Sequence, residues 1–256
     1  MAVDWSLEGK VAVVTGAAKG GIGEAYARTL AEAGAAVVCA DMNADGAATV
    51  AAELTAAGHR ALAVKVDIAD ESSVASMVQA VEGAFGGVDV LVNNAALMAD
   101  LVMTPAMDYS RAHWDRAFSV NVAGAWQCAK AVVPSMKTRG GGRIVNQASA
   151  GAFPAESVYG ITKLALVGLT TTLARELGGA GITVNCIAPG ITSSTAGKML
   201  TPPDGEFRQA IEAKAALRAV GEPAELCGAL LLLCSPAGAW MTGQVLHVDG
   251  GWVLRP

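Results

Sequence analysis

The chain has few charges, few histidines, no regularly spaced cysteines and no long apolar run, and each shortage closes off a class of function. Of its 256 residues only 16% are charged, with a formal net charge of −5. No basic stripe stands out along the chain, so nucleic acid is not expected as a partner. The five cysteines (Cys39, Cys128, Cys186, Cys227 and Cys234) are odd in number, scattered and mostly set in apolar stretches. Such spacing suits neither a disulfide framework nor a zinc site, which predicts a reducing cytoplasmic setting and no bound metal. Residues 1–5 carry no basic segment leading into an apolar one, and the longest apolar stretches are far below membrane-spanning length. Neither a secretory leader nor a membrane is therefore expected. There is no composition shift that would mark a linker, no internal repeat and no low-complexity segment. What is present is an apolar fraction of 53%, ample for the core of one α/β domain covering residues 1–256.

The organisation of that domain is legible from alternating patterns. Residues 10–15 form a β-branched apolar run of strand length, as in a strand buried on both faces. The run leads into Gly16-Ala17-Ala18-Lys19-Gly20-Gly21-Ile22-Gly23 and then an amphipathic helix over 24–33. Glycines there let the backbone turn sharply and bring N–H groups to a pyrophosphate at a helix N-terminus. The second strand, 36–40, ends at Asp41, 18 residues beyond Gly23. A carboxylate at about that distance accepts from ribose hydroxyls in dinucleotide sites, although Asp41 also suits the cap of the next helix. Lys19 pulls the other way, since a cation in the loop suits a ribose 2′-phosphate. A helix over 44–57, a strand over 61–66 ending at Asp67-Ile68, a helix from 70 to 85 and a strand over 88–92 ending in Asn93-Asn94-Ala95-Ala96 complete the first half. This alternation predicts a doubly wound parallel sheet with helices on both faces and a ligand at the carboxyl ends of the strands.

In the second half a helix is expected over 110–136 with Asn121 inside it, then a strand over 143–148 ending at Ser149. Ser157-Val158-Tyr159-Gly160-Ile161-Thr162-Lys163 opens a helix running to about 177. Tyr159 and Lys163 are four apart and so stand one turn above each other on the same face. A phenol beside an ammonium is a proton-transfer pair, and a hydroxyl such as Ser149 could hold a carbonyl or alcohol oxygen next to it. Strands over 182–187, closed by Ala188-Pro189-Gly190, and over 245–248 follow. Pro202-Pro203-Asp204-Gly205 interrupts the segment between them.

Taken in order, the loop of residues 15–23, Asn93-Asn94-Ala95-Ala96, Asn121, Ser149, Tyr159 with Lys163, Pro189-Gly190 and Val248-Asp249-Gly250-Gly251 resemble the short-chain dehydrogenase/reductase family. The resemblance implies a one-domain Rossmann-type fold with a seven-stranded parallel sheet, a nicotinamide cofactor, and interconversion of an alcohol and a carbonyl. It implies Tyr159 as general acid/base and Ser149 as the group orienting the reacting oxygen. Lys163 would lower the tyrosine pKa and hold the nicotinamide ribose, and Asn121 would position a water. On the cofactor side it implies the glycine loop (Gly16, Gly21, Ile22, Gly23), Asp41, Asp67 and Ile68 at the adenine, Asn94, Ala95 and Ala96, and Thr192 and Ser194 near the carboxamide. Residues from about 193 to 217 would be the substrate lid, and a homotetramer is implied. Three departures stand out: Gly20-Gly21 adds a residue to the usual loop, the serine-to-tyrosine interval is ten rather than thirteen, and Thr192 replaces an aliphatic residue.

The expected activity is oxidation or reduction of a hydrophobic, uncharged secondary alcohol or ketone. The candidate pocket wall, Met98, Leu101, Val102, Met103, Phe153 and Pro154, is apolar, with no arginine placed to meet a carboxylate. NAD is expected over NADP, because Asp41 is a fixed charge and Lys19 a movable one. The alternatives are a 3-oxoacyl-[acyl-carrier-protein] reductase, with Lys130, Lys137, Arg139 and Arg143 as its basic patch, and a non-catalytic dinucleotide sensor. His59, His113 and His247 match no catalytic position.

Overall fold

In the computed structural model, which describes residues 3–98, 101, 102 and 104–254, the buried β-branched runs are the strands of one sheet. Strands β1 (Val11–Thr15), β2 (Ala36–Asp41), β3 (Ala61–Lys65), β4 (Val90–Asn93), β5 (Gly142–Gln147), β6 (Ile182–Pro189) and, last in the chain, β9 (Val245–Val248) are all parallel, in the order β3-β2-β1-β4-β5-β6-β9. The chain starts in the middle, winds outward to β3, returns to β4 and winds the other way. The reversal between β1 and β4 leaves a crevice at their carboxyl ends. A short parallel pair, β7 (Ile191–Thr192) with β8 (Val220–Gly221), was not visible in the sequence pattern.

Side chains alternate across the sheet, and each face has its own core. Ala12, Val14, Val37, Cys39, Val90 and Val92 meet α1 (Ile22–Glu32), α2 (Ala44–Ala56) and the helix α9 (Cys227–Cys234). Val11, Val13, Val38, Leu91, Ile144 and Val184 meet α3 (Glu71–Phe85), α5 (Ala125–Thr138) and α6 (Val158–Leu177). Both faces being covered explains why the strands read as continuous apolar runs rather than alternating ones.

The helix expected over 110–136 is one helical run in three segments, two α-helical and one π-helical. Helix α4 (Arg111–Phe118) passes through a π-helical turn at Ser119–Gly124 into α5. The extra residue of a π-turn displaces one peptide from the regular ladder and is common at functional sites. Here it carries Asn121, 1% exposed, whose amide donates to Leu97 O (2.9 Å) and Thr162 Oγ1 (3.1 Å) while its Oδ1 accepts from Leu97 N (2.8 Å). One side chain thus ties the loop after β4 to helix α6.

Directly below the crevice a buried polar ladder joins the central strands. Asn93 and Asn146 are register partners on β4 and β5, with Asn93 Nδ2 donating to Asn146 Oδ1 (2.9 Å) and to Ala125 O (3.1 Å). Asn146 Nδ2 in turn donates to Thr170 Oγ1 of α6 (2.9 Å). Buried amides are costly unless paired, so this ladder fixes the relative height of β4, β5, α5 and α6. The segment after β7 forms the small helices α7 (Thr195–Leu200) and α8 (Glu206–Glu212) over the crevice.

Candidate active site

The crevice is a cavity of about 720 Å³ at the carboxyl edge of the sheet. Its walls bring together Gly16, Lys19, Gly21, Ile22, Asp41, Asp67, Ile68, Asn94, Ala95 and Ala96 at one end with Ser149, Tyr159, Lys163, Pro189, Gly190, Thr192 and Ser194 at the other. Two of the residues singled out from sequence, Gly23 and Asn121, stand behind the wall.

The glycine loop works by close approach. Gly16 has φ +69°, and a Cβ there would lie 2.8 Å from Ala95 Cα. A Cβ on Gly23 would lie 2.1 Å from Gly16 O, so Gly23 sets how closely α1 approaches the loop. Gly21 is the residue before the helix and carries no side-chain cap, and its nearest neighbour to an added Cβ is 3.6 Å away. The extra residue falls to Gly20, at φ +87°, whose carbonyl accepts from both Thr195 N (3.0 Å) and Thr195 Oγ1 (3.1 Å) at the start of α7. The bulge therefore docks the start of α7 onto the loop. Asn94 clamps the loop from the other side: its amide donates to Thr15 O (2.9 Å) and Gly16 O (3.0 Å), while Thr15 Oγ1 accepts from the N–H groups of Asn94 and Ala95 at 3.1 Å each.

At the far end of this wall Asp41 is held rigidly. Its Oδ2 accepts from Ala18 N (2.9 Å) and its Oδ1 from Asn43 N (2.8 Å), leaving further lone pairs directed elsewhere. The cap of α2 is Asn43, not Asp41. Lys19 is turned toward Glu53, with Nζ 2.8 and 2.6 Å from the two carboxylate oxygens, and lies 3.1 Å from Glu24 Oε1. Asp67 Oδ1 accepts from Ala69 N, and Ile68 packs against the π-turn at Gly124.

At the chemical end Ser149 caps a short 3₁₀ turn by accepting from Gly151 N (3.1 Å), which leaves its O–H free to donate. Ser157 caps α6 through Gly160 N (3.1 Å), so Tyr159 sits in the first turn of that helix. Lys163 is 1% exposed, donates to Gln147 O (2.7 Å), and its Nζ lies 5.5 Å from the Tyr159 ring centroid. Burial pushes the tyrosine up and the lysine down to about 8, because each charged form loses solvation. At neutral pH the frame holds a protonated phenol beside an ammonium. The Gln147 carbonyl is invisible to sequence reading, since any residue supplies one.

The substrate side departs from the expected wall in several places. Met98, Val102 and Pro154 line the cavity. Leu101 instead packs with Ala117 and Val158, and Phe153 packs against His247 with ring centroids 4.5 Å apart and planes tilted by 39°. Met103 lies outside the described residues. Met199 and Leu200 from α7, Phe207 from α8 and Trp252 join the wall. Arg116 also lines the cavity, an arginine that the sequence reading did not place there. Two members of the basic patch considered from sequence lie at the amino ends of the strands, away from the crevice: Arg143 is the second residue of β5, and Arg139 pairs with Asp89 just before β4. Lys130 is paired with Glu71. No group of three or more His, Cys, Asp or Glu among the described residues is placed to hold a metal, and none of their helices is long and apolar enough to cross a membrane.

The family model described as enoyl-(acyl carrier protein) reductase matches residues 16–253. An uncharacterised oxidoreductase of Mycobacterium tuberculosis is 47% identical over 253 residues, covering 97% of this chain and 99% of the relative. A 3-oxoacyl-[acyl-carrier-protein] reductase of Vibrio cholerae is 34% identical, covering 97% and 99%. Among solved structures, a 7α-hydroxysteroid dehydrogenase complexed with NADH and 7-oxo glycochenodeoxycholic acid superposes with a TM-score of 0.90 at 35% identity over 98% of this chain and 97% of that one. A gluconate 5-dehydrogenase of Burkholderia cenocepacia in complex with NADP and tartrate has a TM-score of 0.90 at 33% identity, again over 98% and 97%. With the glycine loop, the Ser149–Tyr159–Lys163 group and the doubly wound sheet in one crevice, the chain belongs to the short-chain dehydrogenase/reductase family of oxidoreductases.

Proposed function

We propose that this protein is an NAD-dependent oxidoreductase that interconverts a hydrophobic secondary alcohol and its ketone. The observation that carries the reading is a single cavity with a proton-transfer group at one end and a rigid carboxylate at the other. The residues fit a dinucleotide. Gly21 and Ile22 put the uncapped first turn of α1 on the wall, where N–H groups and the helix dipole favour a pyrophosphate. Asp41 stands at the end of β2, where two ribose hydroxyls can donate to it.

A nicotinamide bound there supplies or accepts the hydride; the protein's part is position and proton transfer. Ser149 Oγ–H donates to the reacting oxygen and holds it beside Tyr159. Tyr159 Oη gives its proton to that oxygen in reduction and takes one back in oxidation. The Lys163 ammonium opposes the rise that burial imposes on the phenol and so favours the phenolate needed for oxidation. The apolar walls from Met98, Val102, Met199, Phe207 and Trp252 exclude water and suit a bulky carbonyl compound.

For NAD against NADP, the support is Asp41. A 2′-phosphate would meet its carboxylate, and like-charge juxtaposition costs several kcal/mol. We expect NAD to be preferred at least about tenfold in kcat/KM, or about 1.4 kcal/mol. The test is a panel of alcohols and ketones with both cofactors. Equal or better turnover with NADP refutes the cofactor assignment, and preference for a small charged oxo acid refutes the substrate assignment. A second reading, reduction of a 3-oxoacyl group on a carrier protein, draws support from the Vibrio relative and from Arg116 on the wall, which suits an anionic arm. Assaying an acyl-carrier substrate beside a free cyclic ketone separates the two.

A further inference from the structure

The glycine loop contains one cation, Lys19, and it lines the cavity together with Asp41. Its ammonium is nevertheless turned away toward α2. Both oxygens of Glu53 accept from it, and Glu24 lies within ion-pair distance. Arg28 closes the group, donating from Nη2 to Glu24 (2.8 Å) and to Glu53. Glu24 is anchored independently by accepting from Gly20 N (2.7 Å), so the network hangs on the loop backbone. Two cations and two carboxylates sum to zero, and the contacts keep Lys19 charged by raising its pKa while lowering that of Glu53.

We infer that Glu53 is a cofactor-specificity residue acting through Lys19. By holding the loop's cation against α2 and neutralising it, Glu53 withholds the charge that a ribose 2′-phosphate would seek beside Asp41. Discrimination against NADP then has two parts: repulsion by Asp41 and sequestration of Lys19. The inference rests on the NAD reading proposed above. Lys19 and Glu53 are largely exposed and their contacts individually weak, so the effect is modest, and it comes from freeing the Lys19 ammonium to reach the ribose end rather than from the net charge of the cluster.

Glu53→Gln keeps the side chain's shape and an acceptor oxygen while deleting the charge. Dissociation constants for NAD and NADP, measured by calorimetry on the full-length protein, should show the NADP/NAD ratio falling three- to tenfold in this variant. Lys19→Ala alone should move the ratio less than twofold, because the parent already withholds that cation. The double variant Lys19→Ala/Glu53→Gln should return to the Lys19→Ala ratio. Turnover with each cofactor should follow the same ratios. An unchanged ratio in Glu53→Gln, or an equal gain in the double variant, overturns the inference, since the first removes the effect and the second removes Lys19 as its carrier. Parent protein that binds NADP as tightly as NAD instead sinks the underlying cofactor assignment, an outcome read before any variant is made.

Discussion

Lys163 makes an unusual prediction: its loss should cost activity but not stability. The ammonium is 1% exposed, and burial lowers its pKa from 10.5 to about 8. At about 1.4 kcal/mol per unit, holding it protonated in the fold costs roughly 3 kcal/mol at neutral pH. The folded pKa is below the unfolded one, so between pH 8 and 10.5 the unfolded chain binds more protons than the native state. Stability from this residue therefore rises with pH across that window, and the cost is present in full below it. Lys163→Met keeps an unbranched apolar stem and removes the titration. It leaves Gln147 O without its donor, a loss of about 1–3 kcal/mol. The variant should thus match or exceed the parent by up to about 2 kcal/mol at pH 7, the advantage shrinking toward pH 9.5. The measurement is urea unfolding of both proteins without cofactor, at equal concentration, from pH 7 to 9.5. Buried thiols tilt the curves oppositely, with Cys39, Cys128 and Cys234 pushed up to about 12 and Cys186 to about 11; the first three do so alike in both proteins, whereas Cys186, whose thiol the Lys163 charge lowers, rises further in the variant. Turnover should fall at least about 100-fold, the lower range for a proton-transfer group. A variant more than about 2 kcal/mol less stable at pH 7, or a stability difference flat in pH, refutes the reasoning.

Tyr159→Phe, which deletes only the proton donor, should lower kcat by about 10²–10⁴ while cofactor titration stays within a few fold; retention of a tenth of the activity contradicts the assignment. Gly23→Ala drives a methyl into Gly16 O and should cost about 1–3 kcal/mol together with most cofactor affinity. Gly83→Ala, within α3 where an added Cβ meets nothing within 4 Å, should instead stabilise by about 0.5–1 kcal/mol, and equal effects at the two sites argue against the close-approach role of Gly23. The outward faces of α5 and α6 expose Trp126 and Leu164, each 44% accessible, and we expect them to be covered in a homotetramer. Light scattering that gives a monomer at micromolar concentration removes that expectation.

How much of this was legible in advance follows from the range of the forces involved. The alternation of β-branched runs and amphipathic helices is a local pattern set by burial on both faces of the sheet, so it determined the doubly wound architecture and the order of its elements. Short-range rules also placed Tyr159 one helical turn from Lys163 and Asp41 at a strand end, because strand and helix geometry alone fixes those positions. Three matters needed the tertiary structure. Lys19 and Glu53 are 34 residues apart, and only the packing of α2 beside the loop decides that the cation turns to the acid rather than to a ligand. The role of Gly20 depends on Thr195, 175 residues further on. The substrate wall was least readable of all, since an apolar residue is equally at home in a core or on a cavity, and Leu101 and Phe153 took the core while Phe207, Trp252 and Arg116 came from segments with no local signal. Local sequence encodes which elements form; contacts closed across long stretches of chain decide which side chains face the ligand.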